Sequence, residues 1–235
     1  MVGGKLDYID FNRGVFVPRL KEVPRADAAE NVLKFYDALF GERDPVADPG
    51  TATGTPGNWW TVFAQVPYVF QHATDHFGMF GMFAQESISQ MDGQIREIAI
   101  MRAGYVRGSE FVFSQHCKAA RRHGVDEEKI KAIPYWAVED VWSPLERAVL
   151  AYTDCLIYDG GRVPDGVFEA LHKLMSEPDI LELTYHVCGY NLHAVMCRAL
   201  RLEYDDVPER IVEIPMPDGP GVQDWAGGAW SDKES

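Results

Sequence analysis

No stretch of this 235-residue chain approaches the roughly 20 consecutive apolar residues that a membrane-spanning helix needs. The opening residues, MVGGKLDYIDFNRG, have no apolar segment of the kind a secretory signal carries. Neither a spanning nor an exported protein is expected. Cysteine is scarce: Cys117, Cys155, Cys188 and Cys197 stand apart, without a CxxC pair or zinc-ribbon spacing. That argues against a disulfide framework and reads as free thiols in a reducing cytoplasm. Positive charge is short too, with 22 Lys and Arg against 36 Asp and Glu and a formal net charge of −14. Such a surface repels nucleic acid and anionic membrane, so neither is expected as a partner. Alternating apolar and polar residues are also missing, which leaves no convincing strand. What is present is helical periodicity, with 46% hydrophobic residues to build a sizeable core. The expected fold class is all-α, of roughly eight to ten helices of ordinary length.

Three parts are expected along the chain. Residues 1–57 form an arm, a helix and a loop; residues 58–205 form the helical domain; residues 206–235 form a Pro- and Gly-rich tail. The first helix runs from Asp27 to Phe40, with Val32, Leu33, Phe35, Tyr36 and Leu39 as its apolar stripe and Gly41 at its end. Residues 43–57, RDPVADPGTATGTPG, are a loop by composition, and loops of that length are often functional or mobile. Helices follow over Asn58–Pro67 and Tyr68–Phe83, then a pair joined at Arg107-Gly108-Ser109. VDEEKIKAI reads as a short helix stopped by Pro134. Ser143-Pro144-Leu145-Glu146 has the pattern of a capping box. Further helices are expected over Pro164–Leu174 and from Asp179 to about Leu202. REIAIMRAGY and LELTYHVCGY share Glu, an apolar residue after it and a terminal Gly-Tyr, which fits either an internal duplication or chance.

The chemistry is expected where the joined helices face each other. Glu97 shares a face with Met101, Gly104 and Tyr105, so it is a carboxylate on an apolar stripe. His116 lies midway along the next helix, on a face shared with Phe113, Cys117 and Ala120. A buried carboxylate must find a donor or take up a proton, and on antiparallel helices His116 is the nearest donor. Such a pair suits general acid–base work near neutral pH, with the carboxylate setting the ring's tautomer. The competing reading is a structural hydrogen bond, or pairing of Glu97 with Arg96 or Arg102 at the surface.

Other residues join the candidate site on weaker grounds. His186, Tyr190 and His193 fall on one face of the last long helix and would supply its polar groups. Tyr105 or Tyr190 would donate to a substrate oxygen. Trp59 and Trp60 are adjacent and point apart, so one is expected inward and the other, Trp60, on a pocket wall with Phe113. Cys117 points about 100° away from His116 and sits mid-helix, where no helix N-terminus lowers its pKa. It reads as a small buried thiol beside the site rather than a nucleophile. His72 and His76, one turn apart, are weak metal candidates, because two ligands alone make no site. No cofactor is expected.

The stretch resembles the carboxymuconolactone decarboxylase and alkylhydroperoxidase D-like superfamily. Arg96, Glu97, His116 and Gly124 fit its pattern, and FVFSQH is similar to the decarboxylase branch's aromatic-x-aromatic-x-Gln-His. SPLERAVLAYTD and the LELTYH helix look like its longer members, and the likeness runs from about Thr61 to Leu202. The resemblance implies a helical bundle assembled as a trimer or hexamer, acting on a small molecule. It also implies a role for Glu97 and His116 in a cofactor-free lyase or isomerase reaction on a ring-bearing carbonyl or carboxylate. The peroxidase branch's two cysteines correspond to Ser109 and Val112 here, so no dithiol can form there. A thiol-dependent antioxidant protein and a non-catalytic helical assembly are the alternatives.

Overall fold

The computed structural model describes residues 17–79, 89, 91–205 and 211–214. The arm before residue 17, the continuation of the third helix past Met79 and the tail, apart from 211–214, lie outside the described residues. The described chain is all-α. It contains α1 (Glu30–Phe40), α2 (Asn58–Phe63), α3 (Pro67–Gly78), α4 (Gly93–Arg107), α5 (Glu110–Arg122), α6 (Glu127–Ala132), α7 (Pro144–Tyr158), α8 (Asp165–His172) and α9 (Glu177–Leu200). Short 3₁₀ turns occupy Arg25–Asp27 and Ile133–Val138. No strand occurs among the described residues, and no described helix is long and apolar enough to cross a membrane. The described residues divide into two compact units, one of 17–79, 89 and 199–205, the other of 91–198 and 211–214.

In the first unit, α2 is buried on every side, because a six-residue helix of Asn, two Trp, Thr, Val and Phe offers no charged face to water. Trp59 and Trp60 are therefore both interior. Trp60 meets Trp59 at 4.7 Å, Phe70 at 5.9 Å and Phe35 at 6.0 Å between ring centroids. The expectation that Trp60 walls a pocket is corrected: its ring fills an aromatic cluster. The 43–57 segment is a pinned structure rather than a slack one. Thr51, Thr53 and Thr55 are buried and hydrogen-bonded together. Glu203 accepts from the backbone N–H groups of Gly57 at 3.0 Å and Trp59 at 2.9 Å. Burial raises the Glu203 carboxyl to about 7, against the pull of those donors.

The second unit is organised by α4 and α5. Asp92 caps α4 by accepting from Gln94 and Ile95 N–H at 2.8 and 3.1 Å. Gly108 ends the helix in the left-handed region at φ 67°, which only glycine adopts without strain. Ser109 then caps α5 through Val112 N–H. The result is a tight antiparallel hairpin whose two helices touch at Gly104. A Cβ there would sit 2.9 Å from the Phe113 backbone nitrogen and from Val112 Cγ1.

Two apolar clusters flank the hairpin. One joins Ala99 and Ala103 of α4 to Val149 and Tyr152 of α7 and to Leu183 and Val187 of α9. The other joins Ile98 and Met101 to Phe113, Cys117 and Ala120 of α5, with Ile133 and Leu150. Between α4 and α7, Arg102 grips Asp154 through Nε and Nη2 at 2.7 and 3.0 Å and donates to the Ile133 carbonyl. Ser143 and Glu146 make the expected capping box on α7, and Lys129 donates to Glu146 at 2.7 Å. As expected, α6 ends just before Pro134. Pro134 lies in the first turn of the 3₁₀ stretch Ile133–Val138 that follows, where its missing N–H costs nothing.

Gly104→Ala should force the hairpin apart against backbone, lowering stability by about 1–3 kcal/mol. Urea unfolding monitored by circular dichroism measures this; a shift within error would mean that α5 yields freely.

Candidate proton-transfer site

Glu97 lies one turn into α4, and its side chain is 3% exposed. An ionised carboxylate so deep must be compensated. Two groups do this. His116 Nδ1, from α5, lies 2.7 Å from Glu97 Oε2. Arg96 Nε donates to Oε1 at 3.1 Å, and Arg96 is itself 4% exposed. Burial pushes the Glu97 carboxyl up, but His116 and Arg96 outweigh it and hold it at about 2. A carboxylate that remains ionised can only accept, so His116 Nδ1 carries the proton. With Nδ1 turned to the carboxylate, Nε2 is the ring nitrogen to which no described residue hydrogen-bonds. The His116 side chain keeps 11% of its surface open.

The network extends beyond the expected pair. Arg96 Nη2 lies 3.0 Å from His123 Nε2, and since a guanidinium only donates, that nitrogen accepts. Burial lowers the His123 pKa, consistent with a neutral ring. His123 ends α5, and its ring packs on Gly93, where a Cβ would collide with it. Sequence reading passed over His123, because no local spacing links it to Arg96, 27 positions earlier. Arg96, expected to fit the family pattern and weighed as a surface partner of Glu97, is buried and turned inward.

The remaining candidates separate. Tyr190 of α9 stands edge-on to His116 with ring centroids 4.3 Å apart. Burial and the nearby Glu97 charge raise its phenol, so it stays a neutral donor. Tyr105, expected as a catalytic donor, packs instead against Phe113 at 5.8 Å and under Arg102 at 5.7 Å, beside the apolar cluster. Phe113, Cys117 and Ala120 form the face of α5 that packs into the apolar cluster. Their spacing of four and three residues leaves His116 at the face's edge, turned toward α9. Cys117 and Phe113 are thus core residues, not lining. Burial drives the Cys117 thiol upward, and the thiol is fully buried. His193 lies 5.9 Å from Tyr190 and from Phe111 by centroids. His186 is fully buried and meets Glu182 Oε1 at 3.2 Å; burial lowers its pKa. In the first unit, His72 is exposed and His76 half-buried on α3. Among the described residues no group of three or more His, Cys, Asp or Glu could hold a metal.

The Glu97 carboxyl titrates near 2 in the fold and at 4.5 when free. A depressed carboxylate stabilises the fold above its free value, and that contribution drains away as pH falls toward the folded value. Glu97→Gln should therefore be about 3–5 kcal/mol less stable than the native chain near neutral pH, with Arg96 left buried and unbalanced. The gap should close as the solution is acidified from about pH 5 to below 3. Urea midpoints across that range test this; a pH-independent gap would contradict the ionised carboxylate.

Comparison with known proteins converges on the same helices. Residues 70–154 match the model of the carboxymuconolactone decarboxylase family. The uncharacterized protein YdfG of Bacillus subtilis (strain 168) is 26% identical over 96 residues, covering 40% of this chain and 65% of that relative's length. An alkylhydroperoxidase AhpD core structure, an uncharacterized peroxidase-related protein from Ralstonia eutropha JMP134, is 13% identical, with a TM-score of 0.63 over 81% of this chain and 94% of that one. A protein of unknown function from Agrobacterium tumefaciens is 21% identical, with a TM-score of 0.54 over 64% of this chain and 96% of that one. The debrominase Bmp8, as a variant in complex with 2,3,4-tribromopyrrole, is 15% identical, with a TM-score of 0.58 over 78% of this chain and 89% of that one. Over residues 70–154 the chain is thus similar to the carboxymuconolactone decarboxylase family, and its helical fold is similar to that of the alkylhydroperoxidase D-like structures.

Proposed function

We propose that the chain is a cofactor-free acid–base enzyme, a lyase or isomerase acting on a small, ring-bearing carbonyl or carboxylate compound. The observation that carries this reading is the 2.7 Å contact between Glu97 and His116 Nδ1, which leaves Nε2 as the ring's accepting nitrogen. In the proposed reaction Nε2 removes a proton next to a carbonyl, or returns one after a carboxylate has left. The imidazolium formed is stabilised by the carboxylate behind it, which Arg96 keeps charged and fixed in place. Tyr190 restricts the ring and brings a neutral phenol near it. Each candidate reaction needs one positioned base and a donor for developing oxyanion charge, and this set offers both kinds of group. The complex of the debrominase neighbour with a small heteroaromatic ring is in keeping with a ring-bearing ligand.

The thiol-dependent alternative has less to rest on. Ser109 and Val112 stand at the positions of the peroxidase cysteines, and Cys117 is sealed in the apolar cluster with its thiol raised. A thiolate at neutral pH is what such chemistry needs.

The test is a panel of cyclic carboxylates, lactones and cyclic ketones incubated with the protein in D₂O and followed by NMR. Deuterium uptake or carboxylate loss is expected for at least one member. His116→Gln should cut that rate by about 10²–10⁴-fold with the helical circular dichroism retained, and Cys117→Ser should leave it within a few-fold. Undiminished turnover in His116→Gln would remove the assignment.

A further inference from the structure

Arg96 and Glu97 are neighbours in sequence, and consecutive residues of a helix point about 100° apart. Side chains that face each other on a helix lie three or four residues apart, so this is not a pair that α4 forms of its own accord. Arg96 Nε nevertheless meets Glu97 Oε1 at 3.1 Å. An arginine side chain has many rotamers, and holding it in one takes contacts at more than one point. His123, at the end of α5, makes such a contact. Its Nε2 lies 3.0 Å from Arg96 Nη2, at the tip of the guanidinium. The imidazole is seated in turn against Gly93, the first residue of α4. A Cβ on Gly93 would fall 2.4 Å from His123 Nδ1 and 2.8 Å from Cε1, so the ring fills the space a side chain would need.

This contact depends on the charge of the imidazole. A guanidinium only donates, so Nε2 must accept, and only the neutral ring has a nitrogen that can. A protonated ring carries N–H at both nitrogens. It would set donor against donor and cation against cation across 3.0 Å. Four charged groups act on the ring: Arg96 and Glu97 of α4, Asp92 at the cap of α4, and Arg122 of α5. Burial lowers the His123 pKa most, Arg96 and Arg122 push the same way, and Glu97 and Asp92 oppose them. The ring is therefore neutral at neutral pH and takes its proton below the ordinary value of 6.5. The Glu97 carboxyl, held at about 2, is still ionised in that window.

We infer that His123 is a positioning residue for the proposed acid–base reaction: its neutral ring holds the Arg96 guanidinium against Glu97, and protonation of the ring releases that hold. Above the His123 titration the carboxylate behind His116 is fixed from both sides. Below it the carboxylate keeps its charge and loses its fixed position. The catalytic part of this inference rests on the reading of Glu97 and His116 as a relay, and the hold on Arg96 does not.

NMR of the arginine side-chain nitrogens in the full chain tests the hold, with Arg96→Lys to assign the signals. A guanidinium held at its tip rotates slowly and shows separate Nη resonances, and a released one shows an average. The Arg96 resonances should be separate near pH 8 and should merge on acidification, with the same midpoint as the His123 ring protons. His123→Gln offers an amide oxygen that accepts and does not titrate, so its resonances should stay separate through that range. His123→Leu should show the average at every pH. Gly93→Ala, which displaces the ring and touches none of Arg96, Glu97 or His116, should do the same with helical circular dichroism retained. Separate resonances in either of those two variants, or native resonances indifferent to the His123 titration, would overturn the hold. On a compound that the native chain turns over, His123→Leu should lower kcat roughly 10–100-fold with KM within a few-fold, and His123→Gln should recover most of the loss. Full kcat in a His123→Leu chain whose Arg96 resonances have merged would overturn the positioning role. A native chain that turns over no compound counts against the proposed reaction, and the Arg96 resonances still decide the hold.

Discussion

A negative charge buried at the start of α4 is the constraint that the second unit is built to satisfy. Glu97 is almost fully enclosed, and a bare carboxylate there would be prohibitively costly. Everything near it answers that cost. Arg96 turns inward beside it, His116 donates from α5, and His123 accepts the far end of the guanidinium. The charges nearly cancel before any proton moves, so the site is close to neutral while His116 is neutral. Exchanging a buried ion set of this kind for well-packed hydrophobes is often neutral or stabilising, so stability alone does not account for it. Its presence in the interior is better explained by what it does to the imidazole. The ring is oriented, its tautomer is fixed, and its other nitrogen is left to act.

The hairpin is what makes this arrangement attainable. Asp92 and Ser109 cap the two helices at their N-termini, and Gly108 lets the chain reverse within two residues. Apolar clusters on both flanks then hold the pair in register. The polar atoms of the site sit between these clusters, which limits the water that can screen the contact between carboxylate and ring.

Local patterns disclosed a good part of this. The Glu97–His116 pair was legible because a carboxylate on an apolar stripe has few outlets, and a histidine one short helix away is the nearest. The capping box at Ser143 and Glu146 was legible because its four positions are consecutive. The misreadings have a common cause, which is that they depend on partners far off in sequence. Tyr105 and Tyr190 end two similar decapeptides, but only Tyr190 reaches the imidazole, because α9 and not α4 passes over it. The Thr-rich segment before α2 looked slack by composition, yet Glu203 ties down Gly57 from 146 positions later. Phe113 and Cys117 were grouped with His116 by helical spacing, and a rotation of less than a turn separates core from site. Trp60 was set apart from Trp59 because adjacent residues cannot share one narrow face, but α2 is buried all round.

Gly104 gives the hairpin the character of a caliper. Its jaws are Glu97 and His116, and the screw that sets their opening is a missing methyl two turns away, where α4 rests on the backbone of α5. The separation of carboxylate and imidazole is therefore adjustable from a place that touches neither jaw. Residues around that contact can change the spacing of the pair while both of its members stay the same.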